Sequence, residues 1–273
     1  MFERTRMPPP KQIPNELAYQ YTLFDKIPIS YWYFDSTKTS PLKYTKENIE
    51  LRIQKIINRE YARYGKTDNF LYDALEKYPI QNKSVVIIGS TSEIYESICL
   101  VYGGKPTTID YNKIETDHPG LTVMTVSEYD NLPVQFDAAI SISSIEHDGL
   151  GRYGDPLNPN GDIIAMHRIK QMIKDGGILY LAVPVGKDML VWNAHRVYGE
   201  MRLPFLLGGW NCIDAFGFDK AQLQIENPYG QEPKRDLWQP VFVLKNTHPF
   251  MSESYSTNGL KTPVKKIQNK QWP

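Results

Sequence analysis

Apolar positions along this chain follow first one period and then another. From Thr45 onward Ile49, Ile53, Ile56, Ile57, Tyr61 and Tyr64 recur at helical spacing while Lys, Arg and Glu fill the opposite face, which predicts an amphipathic helix. Residues 69–77 (NFLYDALEK) predict a second helix, ended by Pro79. Ahead of them, residues 8–14 read as an extended, proline-rich lead-in. The aromatic run at 27–35 (IPISYWYFD) is strand-like and suited to lie as a clasp over a core. Residues 1–82 are therefore expected to form a mostly helical N-terminal extension.

Beyond it, short runs of β-branched residues alternate with helical stretches. Residues 84–88 (SVVII) suit a strand buried on both faces, and Gly89 turns the chain into a helix at 93–102 that Gly103-Gly104 stops. Further strands are predicted at 107–110 (TTID), 121–126 (LTVMTV) and 136–142 (FDAAISI), between connections rich in Pro, Gly, Asn and Asp. A helix at 161–174, closed by Asp175-Gly176-Gly177, leads to another buried strand at 178–185 (ILYLAVPV). Strand, helix, strand in this order requires right-handed crossovers. The expectation is thus an α/β fold, a mostly parallel twisted sheet with helices on both faces, carrying 211–216 and 240–245 as an antiparallel edge. This α/β unit spans 83–246; apolar periodicity then stops, and 247–273 is expected to be a surface-wrapped or disordered tail.

Charge narrows the partners. Lys plus Arg number 31, as do Asp plus Glu, so the chain lacks the long-range field that gathers nucleic acid or anionic lipid; a small-molecule or glycan partner is expected instead. Cys99 and Cys212 sit in apolar surroundings and read as buried free thiols, which argues against a disulfide scaffold and a cysteine-rich zinc site. Segment 1–12 lacks the apolar stretch of a secretory signal, and no run approaches the roughly 18 apolar residues of a membrane span, so a cytoplasmic protein is expected. The aromatic N-terminal segment would suit a homodimer surface.

In an open parallel sheet, ligands bind beyond the C-terminal strand ends, where strand order reverses. That rule singles out the loop Gly89-Ser90-Thr91-Ser92-Glu93, where a glycine lets backbone approach a ligand and the following helix offers free N–H groups. Asp110 ends the second strand about 20 residues later, a separation at which a carboxylate can accept both hydrogen bonds of a ribose diol; an Asp there can equally cap a turn.

The ordered set formed by this loop, residues 107–110, 127–133, 136–141, Ile145-Glu146-His147 and Lys174-Asp175-Gly176-Gly177 resembles the motif series of small-molecule S-adenosylmethionine-dependent methyltransferases. The stretches at 144–156 and 193–199 resemble more particularly a methyltransferase-like family of unassigned function first catalogued from nematode proteins. The resemblance implies a Rossmann-like methyltransferase fold with S-adenosylmethionine as cofactor. It implies that Gly89 and Ser90 pass the methionine part, Asp110 holds the ribose, Glu128 meets the adenine, and Ser141 to Glu146 border the sulfonium.

His147 is then the candidate base for an acceptor hydroxyl, since imidazole exchanges protons near neutrality; hydrogen-bonding its own loop is the bland alternative. Arg152 and Tyr153, with His195, Arg196 and Tyr198, suit a hydroxyl-rich acceptor. Asp148, Asp155 and Asp162 lie close enough in sequence to His147 to suggest a divalent metal, but their spacing matches no rigid ligand motif, so turn and helix capping is the better reading and no metal is expected.

Three functions follow from these residues. The first is an O-methyltransferase acting on a sugar, glycan or similar polar metabolite. The second is a binding or scaffold protein without turnover, because GSTSE adds side-chain bulk where those enzymes carry a glycine-rich loop. Nicotinamide-dependent oxidoreduction comes third, as the glycines that a pyrophosphate needs are missing.

Overall fold

In β3 (Ser84–Ile88) Val85 and Ile87 point to one layer of buried side chains while Val86 packs into another, so a strand of continuous apolar residues is covered on both faces. A computed structural model of the chain describes residues 8–37, 41–60, 63–226 and 237–247. Around β3 it builds a seven-stranded sheet, with α4 (Ile94–Val101), β4 (Lys105–Asp110), β5 (Ile114–Thr116), β6 (Thr122–Thr125), α5 (Val126–Asn131), β7 (Phe136–Ile142), α6 (Gly161–Met172) and β8 (Ile173–Ala182) following in turn. The chain continues through β9 (Met189–Asn193), β10 (His195–Val197), α7 (Arg202–Leu206), β11 (Asn211–Phe216) and β12 (Val241–Lys245). Strand order is β11-β12-β8-β7-β3-β4-β6, with β8, β7, β3, β4 and β6 parallel. β12 pairs antiparallel to both β8 and β11, so the expected antiparallel edge is present.

The chain runs outward from β3 through β4 to β6, then returns to the other side of β3 to lay down β7 and β8. Strand order therefore reverses between β3 and β7, and the loops after these two strands open side by side.

Ahead of the sheet lie α1 (Asn15–Tyr21), β1 (Ile29–Trp32), β2 (Leu42–Tyr44), α2 (Lys46–Ile57) and α3 (Lys66–Lys77). Leu71, Tyr72, Ala74 and Leu75 of α3 join Val85, Ile87, Tyr180 and Val243 in one buried layer, which is why that helix forms on its apolar stripe. Thr45 caps α2 by accepting from Asn48 N–H, and this helix is shorter than its period suggests: it ends at Ile57, and Tyr61 lies outside the described residues. The aromatic run forms β1, which pairs parallel with β9 in a separate three-stranded sheet β1-β9-β10. β2 pairs with β5, and neither pairing is legible in the sequence.

One boundary differs for a clear reason. Asp175-Gly176-Gly177 does not close α6: the helix ends at Met172, and 173–177 form a bulged start to β8. Asn246 takes over the capping. Its buried Nδ2 donates to Lys170 O, Ile173 O and Lys174 O at 3.0, 2.8 and 3.3 Å, while its backbone pairs with Gly176 N and Gly177 O. Gly177 fits because a Cβ there would stand 2.7 Å from Asp137 O. Beyond residue 247 the expected tail lies outside the described residues. Among the described residues no helix is long and apolar enough to cross a membrane.

Candidate functional site

A cavity of about 630 Å³ opens where the strand order reverses, a volume typical of small-molecule sites. Its floor is the loop after β3. Gly89 adopts φ +72°, and a Cβ there would lie 1.7 Å from Ser144 Oγ, so the loop closes over the β7 turn only because this position has no side chain. Ser90 also borders the cavity, but its hydroxyl turns away into the protein, 2.6 Å from Ser92 O and 3.0 Å from Glu96 Oε2. Asp110, at the end of β4, lines the cavity and accepts from Asn112 N–H at 2.7 Å through Oδ1, so the turn-capping and cavity-facing readings both hold.

The opposite wall follows β7. Ser143 takes the left-handed backbone (φ +51°), which a serine adopts at a cost of about 1 kcal/mol. This brings its hydroxyl 2.7 Å from Glu146 Oε1. Glu146 Oε2 is buried without a hydrogen-bond partner in a side chain that lines the cavity. Burial pushes the Glu146 carboxyl up to about 7, outweighing the bond from Ser143.

Next to it, His147 approaches Ala194 O through Nδ1 at 2.5 Å, and its Nε2 stands 3.7 Å from Glu146 Oε1. Burial, helped by the Arg152 charge, holds His147 down to about 3, so the ring is neutral: Nδ1–H donates to the carbonyl and Nε2 keeps its lone pair. Burial also lowers His195, whose ring stands edge-on to His147 at 6.3 Å.

Arg152 lies over the Phe34 ring at 4.2 Å and donates to Ala194 O at 3.2 Å, and Tyr153 meets His147 edge-on at 5.7 Å. Phe34 is held there by Asn193, whose side chain accepts from Phe34 N–H at 2.8 Å and donates to Phe34 O at 3.0 Å. Trp32, tilted against Phe34 at 4.8 Å, completes an aromatic rim.

The structure thus brings Gly89, Ser90, Asp110, Glu146, His147, Arg152, Tyr153 and His195 to one cavity. Four of the residues singled out from the sequence lie elsewhere. Glu128 is spent in a capping box on α5, accepting from Thr125 N–H at 2.6 Å; Val126 borders the cavity instead. Ser141 is buried within β7, on the same face as Ala139, and does not line the cavity; Ser143 and Ser144 just beyond reach it.

Arg196 and Tyr198 are core residues, 2% and 0% exposed. Tyr198 donates to Asp162 Oδ2 at 3.0 Å. Arg196 reaches Glu146 O at 3.3 Å, Asp148 O at 2.7 Å and Pro159 O at 3.3 Å. Burial drives the Asp162 carboxyl up, yet the guanidiniums of Arg196 and Arg202 together hold it below its ordinary value. Asp155 accepts backbone N–H groups of Gly149, Gly151 and Tyr153, a turn cap, and no metal-holding cluster occurs among the described residues.

Sequence reasoning missed Arg63. It borders the cavity and donates to Thr91 Oγ1 at 2.8 Å, which places a cation over the Gly89 loop. Trp32 and Phe34 were visible only as an aromatic strand; Asn193 was visible only as the start of the family-like stretch 193–199, with nothing to show that it holds Phe34.

A family described as Caenorhabditis protein of unknown function, DUF268, matches residues 82–247, the segment that holds most of this cavity. The chain belongs to this family. A comparison with curated proteins gives no match. Among solved structures, this DUF268 chain is similar to 1,6-didemethyltoxoflavin-N1-methyltransferase of Burkholderia thailandensis, solved with 1,6-didemethyltoxoflavin and S-adenosylhomocysteine. The two are 16% identical with a TM-score of 0.50, over 80% of this chain and 99% of that one. The N-methyltransferase NodS from Bradyrhizobium japonicum WM9 is 12% identical with a TM-score of 0.41, over 67% of this chain and 95% of its own. At such identities the likeness is one of fold, the Rossmann-like methyltransferase fold, which the strand order describes independently.

Proposed function

We propose that the chain binds S-adenosylmethionine and transfers its methyl group to a hydroxyl of a sugar, glycan or similar polar metabolite. One observation carries the reading: Gly89, Asp110, Glu146 and His147 line a single volume at the switch point of the sheet. Two features suit the cofactor. The side-chain-free position at Gly89 leaves backbone open to a close ligand, and Glu146 Oε2, buried without a hydrogen-bond partner, can bond one, as a donor while the carboxyl keeps its proton. Asp110 would accept from the ribose hydroxyls, Arg63 would pair with the carboxylate, and Val126 would face the adenine.

The bound cofactor supplies an electrophilic methyl group, and the protein's task is to align the acceptor oxygen with it. His147 Nε2 accepts the hydroxyl hydrogen and fixes the direction of the oxygen lone pair. Its weak basicity is sufficient, because a hydroxyl becomes strongly acidic once its oxygen begins to bond to carbon. The aromatic rim of Trp32 and Phe34 suits the flat apolar face of a sugar ring, with Arg152 and Tyr153 at its hydroxyl edge. The scaffold reading rested on the bulk of GSTSE. Ser90 turns its hydroxyl inward, so the bulk of that side chain does not stand in the cavity, which favours binding.

The test is methyl transfer from labelled cofactor to a panel of monosaccharides and nucleotide sugars. Alkali-stable label on an acceptor oxygen is expected, with His147→Ala slowing transfer by about 10²-fold. Label found on nitrogen would overturn the hydroxyl assignment, and unchanged turnover in His147→Ala would remove that residue from the mechanism.

A further inference from the structure

Behind the Gly89 loop lies a buried cluster that the methyl-transfer chemistry does not use. Glu96 of α4 is 0% exposed; its Oε1 accepts from Thr108 Oγ1 of β4 at 2.6 Å, and its Oε2 stands 3.0 Å from Ser90 Oγ. Ser90 Oγ is also 2.6 Å from Ser92 O, and Tyr44 of β2 donates its hydroxyl to Ser90 O at 3.1 Å.

The hydrogens in this cluster can be counted. Ser90 has one hydroxyl hydrogen and two neighbours able to accept it, Ser92 O and Glu96 Oε2. Thr108 spends its hydrogen on Glu96 Oε1, and Tyr44 directs its own at Ser90, 3.1 Å from Ser90 O and 3.4 Å from Ser90 Oγ, so neither hydrogen reaches Glu96 Oε2. If Glu96 were ionised, either Oε2 would face a lone pair on Ser90 or Ser92 O would lose a bond. A proton on Glu96 Oε2 removes the conflict: the acid donates to Ser90 Oγ, Ser90 donates to Ser92 O, and every contact is satisfied.

We propose that Glu96, in its neutral acid form, is the positioning residue that holds loop 89–92 in shape for the cofactor, a role that rests on the cofactor reading above. Glu96 ties the Ser90 side chain inward, away from the cavity that the loop borders. Burial supports the assignment, pushing the carboxyl up to about 7. The titratable groups facing the cluster are Glu93 and Cys99 of the same helix, Tyr44 of β2 and, beyond Tyr44, Asp110 of β4; all are neutral or acidic and favour retention of the proton. Two cations lie at hand: Arg52 of α2 is engaged by Glu93 at 2.7 Å, and Arg63, over the loop, donates to Thr91 Oγ1 at 2.8 Å and to Ser92 Oγ at 3.4 Å. Ionisation above neutral pH would redirect the Ser90 hydrogen from Ser92 O, leaving that carbonyl held by Ile94 N–H alone, so cofactor affinity falls as pH rises.

The test is calorimetric titration of S-adenosylhomocysteine into the full-length wild type and Glu96→Gln between about pH 6 and about pH 8.5. Wild-type affinity is expected to fall by about fivefold or more across this range. Glu96→Gln, whose amide donates permanently to Ser90 Oγ, is expected to stay flat apart from the share that a parallel Glu146→Gln series removes. Wild-type pH dependence surviving in full in Glu96→Gln overturns the proposal. Ser90→Ala, which removes the shared hydrogen, gives the same comparison if the glutamine variant fails to fold. Amide exchange of residues 90–94 in the ligand-free proteins, corrected for intrinsic rates, separates the two ideas. If wild type binds no S-adenosylhomocysteine at any pH, the cofactor reading fails. Exchange then decides the latch alone, and protection that weakens equally with pH in wild type and Glu96→Gln overturns it.

Discussion

A single methyl group at Gly89 is enough to force the β3 loop off the β7 turn. Gly89→Ala would add a Cβ 1.7 Å from Ser144 Oγ at a backbone angle that disfavours side chains. The backbone cost alone is about 1–2 kcal/mol. The variant is expected to fold with a lowered Tm and to bind S-adenosylhomocysteine at least about tenfold more weakly, as read by thermal melts and calorimetry. Glu146 gives a prediction of opposite sign. Its folded-state pKa is raised to about 7, so it stabilises the fold below the unfolded carboxyl range and loses that contribution as pH climbs through 7. Glu146→Gln is therefore expected to melt higher than wild type above neutrality, and an equal or lower Tm at alkaline pH would contradict the burial argument.

Which residues could be read from sequence follows the same physics. Gly89, Asp110 and His147 sit at strand ends, where topology dictates direction. Ser141 and Glu128 failed because strand parity and helix capping settle their orientation locally, and Arg196 and Tyr198 because a charged or hydroxylated residue in a short loop looks alike whether it grips a ligand or an internal carbonyl.

Two clamps work at the scale of elements. Arg196 of β10 ties the carbonyls of Glu146 and Asp148 to that of Pro159, just ahead of α6, and its charge is returned by Asp162. Arg196→Met leaves those carbonyls bare and weakens the compensation of a buried carboxylate, an expected cost of about 3–5 kcal/mol in chemical denaturation. A loss below about 1 kcal/mol would mean that Arg202 alone suffices. Asn246 is the corresponding clamp at the end of α6, and Asn246→Ala is expected to cost about 1–3 kcal/mol while leaving cofactor affinity unchanged. The central strands β3, β7 and the second half of β8 were legible because each is buried on both faces and so reads as an apolar run. β2, β5, β9 and β10 were not: they are three to five residues long, and their pairing is set by distant partners rather than by their own pattern. The Asp175-Gly176-Gly177 turn misled for the same reason, since the residue that caps α6 lies about 70 positions downstream in the chain.

For the molecule as a whole, the strand order and the fold likeness to 1,6-didemethyltoxoflavin-N1-methyltransferase agree on a Rossmann-like methyltransferase sheet whose switch point is open. The N-terminal elements supply the cavity with Trp32, Phe34 and Arg63, so part of its lining comes from ahead of the matched segment. If the cavity holds the cofactor, a saturating ligand must stabilise the whole fold by mass action, about 2.7 kcal/mol at a hundredfold excess over Kd.

The most direct test is calorimetric titration of S-adenosylhomocysteine into wild type and Asp110→Ala at about pH 6, where Glu96 and Glu146 both keep their protons. The expected result is one-to-one binding by wild type that weakens at least about tenfold in Asp110→Ala without loss of fold. Absence of binding by a folded wild type, or equal affinity in both proteins, would contradict the assignment of this cavity to the cofactor.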